Sequence, residues 1–111
     1  MDSTDVLIEK VRAWGIQKGL TGRDGKATIA GQTEKLAEEF GELIKALLDF
    51  DEPAARDAIG DMTVVLILLN DLINREDISE KKSFNECLSD VYGIISKRTG
   101  RMEGGVFVKD K

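Results

Sequence analysis

Three glutamates crowd into five positions of the segment KLAEEFGELIKALL, which spans residues 35 to 48. They are Glu38, Glu39 and Glu42. In a helix, side chains three or four positions apart have Cβ atoms about 5–6 Å apart, so these carboxylates are close enough to repel one another. The segment therefore needs counter-charges, or it holds a cation.

Asp57 and Asp61 supply further acids on the next predicted helix. Asp61 falls on a stripe at helical spacing whose other members are apolar: Ala58, Val65, Leu68 and Leu72. An aspartate buried on such a stripe is costly unless it is paired or bound to a metal. We therefore expect Asp61 to have a partner there, with Asp57 one turn earlier beside it.

A short turn joins the two acidic helices, which should then pack antiparallel. Glu42 lies eight positions before Phe50 and Asp57 seven after it, so the acids of the two helices come level. About four carboxylates around one point form an oxygen-only site that suits Mg²⁺ or Mn²⁺. The alternative is a solvated acidic face balanced by Lys35 and Lys45, and for Glu38 alone that alternative is favoured.

The composition limits the chemistry and the partners. The 111 residues suffice for a single domain, residues 1–111, and the low aromatic content with one proline favours an all-α fold. The net charge of -5 argues against nucleic acid or an anionic membrane as a partner. Cys87 is alone, which suits the cytoplasm, and the chain starts without a signal-peptide pattern. No histidine is present, so any catalysis depends on carboxylates, cations and water.

Hydrophobic periodicity predicts four helices and therefore a four-helix bundle. We expect them at about residues 4–18, 31–49, 52–74 and 83–100, followed by a short extended tail in which residues 106–108 form a strand or an arm. The third helix is apolar in every direction, with MTVVLILL at residues 62–69. A domain this small cannot enclose it alone, which predicts a homodimer or homotetramer.

The two acidic segments resemble the motifs of the MazG-like, all-α nucleoside triphosphate pyrophosphohydrolases. That family carries E-E-x-x-E and then E-x-x-D, which here read EEFGE at 38 to 42 and DAIGD at 57 to 61. The closing SKRTGRMEGGVFVKD is similar to the ending of short phage-type and bacterial members. One position departs: the second glutamate of the E-x-x-D motif is Ala58, and Asp57 is the candidate to replace it.

The resemblance implies a fold of the MazG type and cleavage between the α- and β-phosphates of a nucleotide. It implies Mg²⁺, or Mn²⁺, held by Glu39, Glu42 and Asp61 with Asp57 as a substitute ligand. Glu38 belongs to the motif and is the least necessary ligand, so it is the candidate general base.

The candidate substrate-binding residues come from both ends of the chain. Trp14 resembles a family position that contacts the base, although a core aromatic explains it equally well. The basic candidates near the C-terminus are Lys97, Arg98, Arg101 and Lys109. Complementing a helix dipole explains Lys97 and Arg98 about as well as phosphate binding does.

Two alternatives to a (d)NTP pyrophosphohydrolase remain open. One is hydrolysis of phosphoribosyl-ATP or another nucleotide-like diphosphate. The other is a non-catalytic helical module whose site has degenerated, which Ala58 permits. The sequence does not specify the base or the sugar of the substrate.

Overall fold

A computed structural model describes residues 1–76 and 80–111 of the chain. These ranges form two compact units, Met1–Lys81 and Lys82–Lys111. The elements are α1 (Thr4–Gln17), α2 (Ile29–Leu48), α3 (Glu52–Glu76), α4 (Phe84–Ile95), β1 (Gly100–Glu103) and β2 (Val106–Lys109). The predicted helical class is confirmed by four helices in the described part of the chain, and a small two-stranded sheet adds to it.

Side-chain caps explain where the helices begin. Thr28 Oγ1 accepts a hydrogen bond from Gly31 N at 2.9 Å at the start of α2. Asp51 Oδ1 accepts from Ala54 N at 3.2 Å and caps α3. Ser83 Oγ accepts from Glu86 N at 3.1 Å, which confirms the predicted start of α4. Each cap satisfies an N–H group that has no partner within its own helix.

The turn between α2 and α3 is a Schellman motif. Asp51 N donates to Ala46 O at 2.9 Å and Phe50 N donates to Leu47 O at 3.3 Å. Phe50 lies at φ 54, the left-handed conformation that usually calls for glycine at this position. The motif reverses the chain within a few residues and sets α2 against α3.

The core of the first unit lies mainly along α3. Leu72 is fully enclosed, and the other buried apolar side chains of α3 are Ala55, Ala58, Val65, Ile67 and Leu68. Ala46 of α2 is buried as well, and small side chains at a helix contact allow the two backbones to approach closely. α2 and α1 both pack on α3.

The single chain does not cover α3 on every side, as expected for a domain this small. Ile59, Leu66 and Ile73 remain 55%, 41% and 48% exposed. They are spaced seven residues apart, so they form one exposed apolar row on the helix.

An ion pair fastens α1 to α3. Arg12 Nε lies 2.9 Å from Asp71 Oδ1 and 3.1 Å from Oδ2, and the Asp71 side chain is only 12% exposed. Arg12 also reaches Glu9 one turn earlier at 3.2 Å. Burial of Asp71 makes this pair costly to break from one side, because the remaining charge would lose its partner.

The second unit contains a helix and a β-hairpin. The helix ends at Ile95 rather than near Gly100, and Gly100 instead begins β1. Gly104 and Gly105, at φ 55 and 81, form a two-residue turn that pairs Glu103 with Val106. The strand that was one of the two alternatives for residues 106–108 is present as β2, because the Gly-Gly turn lets it satisfy the backbone groups of β1.

Within the two described ranges, no helix is both long enough and apolar enough to cross a membrane.

Candidate functional site

One cavity of the first unit, called here the large cavity, has a volume of about 810 Å³. Its walls come from α1, from the loop between α1 and α2, and from the facing sides of α2 and α3. The lining residues that matter below are Trp14, Leu20, Lys26, Ala27, Thr28, Gln32, Lys35, Glu38, Glu39, Asp61 and Leu68. The size is in the usual range for small-molecule sites, and an apolar floor with a few polar groups is their usual lining.

Glu39 is the buried acid of this cavity. Its side chain is 6% exposed, and Lys35 Nζ lies 3.1 Å from Oε1. Among the described residues, no group donates a hydrogen bond to the buried Oε2. A buried carboxylate oxygen without a donor is costly, and a cation or a proton removes that cost.

The carboxylates of Glu39 and Glu42 interact, and the pKa of Glu42 shows the effect. The pKa of Glu42 is raised, first by its side-chain hydrogen bond with Glu39 and next by the negative charge of Glu39. Lys35 responds in the same way, since its hydrogen bond to Glu39 raises its pKa above the ordinary value. The raised pKa of Glu42 agrees with the repulsion between neighbouring carboxylates that their spacing predicted.

A second cavity, called here the small cavity, lies along α2 and α3 toward their turn and has a volume of about 420 Å³. Its acids are Glu42, Asp49, Asp51, Asp57 and Asp61. Asp61 lines both cavities, so it shares one space with Glu39 and another with Glu42 and Asp57. Acids of α2 and α3 therefore line common cavities.

Two parts of the sequence argument need correction. Asp61 is exposed, so it does not carry the burial cost that singled it out; the stripe faces the core at Ala58 and Val65 but opens to water at Asp61. The four acids also do not form a ready-made cluster. Over residues 1–76 and 80–111, no group of three or more acidic or cysteine side chains is arranged to hold a metal.

The residues nevertheless fit a divalent cation chemically. The donors are all carboxylate oxygens, which Mg²⁺ and Mn²⁺ prefer, and Glu39 Oε2 is a buried acceptor without a donor in the described chain. Glu42 and Asp61 are exposed and can change rotamer at small cost. Ala58, where the MazG-like motif has glutamate, is 3% exposed, which leaves Asp57 as the acid at this turn of α3.

The remaining predicted site residues have different positions. Glu38 lines the large cavity with its side chain 63% exposed. Trp14 lines the same cavity and is 43% exposed, so it is not a core aromatic. The basic candidates belong to the second unit: Lys97 and Arg98 follow α4, Arg101 lies on β1 and Lys109 on β2. Arg101 Nε lies 2.6 Å from Glu103 Oε1. Phosphate contact by these four residues stays a prediction.

The N-terminal part of α2 and its N-cap extend the site beyond the residues that were predicted. Thr28 and Gln32 line the large cavity with Lys35 and Glu39. These four positions recur at intervals of four, three and four residues, which places them on one helical face. That spacing was a usable signal. No comparable signal marks Leu20, which reaches the cavity from an irregular loop.

No protein-family model matches the chain, and neither a curated protein nor a solved structure matches it.

Proposed function

We propose that this protein is a metal-dependent nucleotide pyrophosphohydrolase that cleaves a (d)NTP to the (d)NMP and pyrophosphate. The observation that carries the proposal is the buried Glu39 carboxylate, whose Oε2 has no donor in the described chain and which shares a nucleotide-sized cavity with Asp61. The resemblance of the EEFGE and DAIGD segments to the MazG-like motifs supports the same activity.

Each acid has a distinct part in this proposal. Glu39, Glu42 and Asp61 hold a divalent cation, and Asp57 is the candidate for the position that Ala58 leaves without a carboxylate. When bound, the cation neutralises phosphate charge and polarises the reacting phosphorus. Glu38 orients the attacking water and accepts its proton, for which its exposed position on the cavity wall leaves room.

The reaction then balances without a further reagent. Water forms a bond to the α-phosphorus, the bond from that phosphorus to the bridging oxygen breaks, and pyrophosphate leaves with the electron pair. Trp14 offers an aromatic face to the base from the same cavity. The candidates for phosphate contact are Lys97, Arg98, Arg101 and Lys109, because they make the C-terminal end basic within an acidic chain.

The test is pyrophosphate release from a panel of common and modified (d)NTPs and phosphoribosyl-ATP, with Mg²⁺ or Mn²⁺ and with EDTA. We expect metal-dependent release from at least one triphosphate. Release only from phosphoribosyl-ATP would move the substrate within the same reaction class.

A non-catalytic helical module is the second candidate. The observation that favours it is that no three acids in the described residues are arranged as a metal site, together with the alanine at position 58. Absence of pyrophosphate release from the whole panel, with both metals, would support this candidate over the enzyme.

We also propose that the protein acts as a cytoplasmic homodimer or homotetramer. The support is the exposed apolar row of Ile59, Leu66 and Ile73 on α3. Light scattering at micromolar concentration should give a mass of two or four chains. Leu66→Lys places a charge in this row and should shift the protein toward monomer, whereas a monomeric wild-type protein would contradict the proposal.

A further inference from the structure

The loop before α2, residues 19–28, is called here the glycine loop. Lys26 N donates to Gly19 O at 2.8 Å and Ala27 N donates to Leu20 O at 3.0 Å, so its two ends pair with each other. Gly25 must be glycine, because a Cβ atom there would lie 2.5 Å from Leu20 O and collide with Thr21 O. With three glycines in seven residues, the loop has much conformational freedom to lose on ordering.

Arg75, in the last turn of α3, donates hydrogen bonds to this loop. Its guanidinium reaches Ala27 O at 3.1 Å and Gly25 O at 3.2 Å, with a longer contact to Gly22 O at 3.5 Å. The side chain is 27% exposed, so water competes weakly for these carbonyls. Bonds from a charged, planar donor to several carbonyls fix the loop in one arrangement.

The ordered loop forms one wall of the large cavity. Leu20, Lys26, Ala27 and Thr28 all line it, whereas Arg75 does not. Lys26 differs from the other lysine of this cavity, because Lys35 is paired with Glu39 at 3.1 Å. Over the two described ranges, no ion pair engages Lys26, and its side chain is exposed. Lys26 therefore remains available to an anionic ligand.

We propose that Arg75 is a positioning residue that holds the glycine loop as a wall of the large cavity, so that Lys26 contacts the phosphates of a nucleotide bound there. The identity of the ligand rests on the proposed function. The positioning of the loop does not, and it is testable on the protein alone.

The first test measures hydrogen exchange in Arg75→Ala, Arg75→Lys and the control Arg56→Ala, which alters an exposed arginine of the same helix. We expect the amides of Lys26 and Ala27 to exchange roughly tenfold to a hundredfold faster in Arg75→Ala, because charged hydrogen bonds to the loop are lost. Arg75→Lys keeps the positive charge but lacks the forked guanidinium donor, so its loop amides should exchange at rates between those of the wild type and Arg75→Ala. If Arg75→Ala does not fold, Arg75→Lys decides; unchanged loop exchange in the folded variants would overturn the positioning role.

The second test measures nucleotide binding through Trp14, the single tryptophan of the chain and a residue of the same cavity. Fluorescence titration uses the Mg²⁺ complexes of dATP, dCTP, dGTP and dTTP. We expect Lys26→Ala to raise Kd about tenfold through loss of a charge-assisted contact. Arg23→Ala removes a loop cation that does not line the cavity and should leave Kd unchanged.

Kinetics separate positioning from general damage. Lys26→Ala and Arg75→Lys should each raise KM with kcat within about twofold, because the contact is made equally in substrate and transition state. If Arg75 acts through Lys26, the double variant should have the KM of the worse single variant rather than the product of both effects. Full multiplication of the two effects would overturn the coupling.

The outcomes distinguish this proposal from the proposed function. If the wild-type protein releases pyrophosphate and Lys26→Ala binds nucleotides as tightly as the wild type, the role of Lys26 is refuted and the proposed function stands. A wild-type protein that neither binds these four nucleotides nor releases pyrophosphate from any member of the full panel, phosphoribosyl-ATP included, would refute the enzyme and the role of Lys26 together. The exchange measurement would still decide the role of Arg75.

Discussion

The large and small cavities share Asp61 but differ in how their acids meet water. Glu39 in the large cavity is buried with one oxygen lacking a donor in the described chain, whereas Asp57 and Glu42 in the small cavity are exposed. The large cavity also has an apolar floor from Val65 and Leu68. The small one is lined mainly by acids, alanines and Lys45. An exposed carboxylate is hydrogen-bonded by water and has little need of a cation. For cation binding, the burial of one acid therefore matters more than the number of acids.

The largest expected effect is the loss of activity when Glu39 is replaced, which is compared with the replacement of Asp57. Glu39→Gln keeps the volume and removes the charge, and we expect kcat/KM for pyrophosphate release to fall roughly 100-fold or more. Asp61→Asn should be comparably damaging. Circular dichroism should confirm that both variants remain folded.

Asp57→Asn is the matched control on the small-cavity side. A silent Asp57→Asn would mean that the site works without the carboxylate missing at Ala58. An equally damaging Asp57→Asn would mean that Asp57 replaces it, and the contrast between the two cavities would fail.

The second effect is the response of the melting temperature to Mg²⁺. A ligand that binds only the folded state at a hundredfold excess over its Kd adds about 2.7 kcal/mol. The rise should be larger at pH 8 than at pH 5, because protons compete for the same carboxylate oxygens. Asp61→Asn should reduce it. Melting temperatures indifferent to Mg²⁺ and Mn²⁺ at both pH values would leave the acids as a solvated face.

A smaller effect concerns Glu42 in the metal-free protein. Its pKa is raised in the folded state by Glu39, so its contribution to stability is full below the unfolded pKa and is lost as pH rises through the folded pKa. Glu42→Gln should therefore raise the melting temperature in EDTA at pH 8 but not at pH 4. Equal shifts at both pH values would attribute the change to packing instead of charge.

The smallest expected effect lies at the turn beside the small cavity. Phe50 is 92% exposed in a left-handed conformation that costs a non-glycine residue about 1–2 kcal/mol, part of which the flexibility of glycine offsets. Phe50→Gly should gain about 0.5–1 kcal/mol in urea unfolding. The rate of nucleotide cleavage should not change. A large change in that rate would indicate that the small cavity contributes to activity.

The sequence by itself determined the local elements. Apolar spacing predicted four helices, with the fourth beginning at residue 83, and the acidic spacing brought Glu39 and Asp61 to one cavity. These features follow from interactions within a few residues or between helices joined by a short turn. The Gly104-Gly105 hairpin carried an equally local signal, since two glycines between short strands favour a tight turn, but only a strand or an extended arm at residues 106–108 was predicted there.

Only the tertiary structure decided which acid is buried away from water. Glu39 and Glu42 are three residues apart on one helix, yet Glu39 is buried while Glu42 is exposed. Asp61 sits on an apolar stripe and is exposed all the same. Arg75 donates hydrogen bonds to carbonyl groups about fifty positions earlier in the chain, and no spacing in the sequence predicts this contact. Burial and long-range hydrogen bonds depend on where neighbouring elements end, and helical periodicity fixes the direction of a side chain without fixing what covers it.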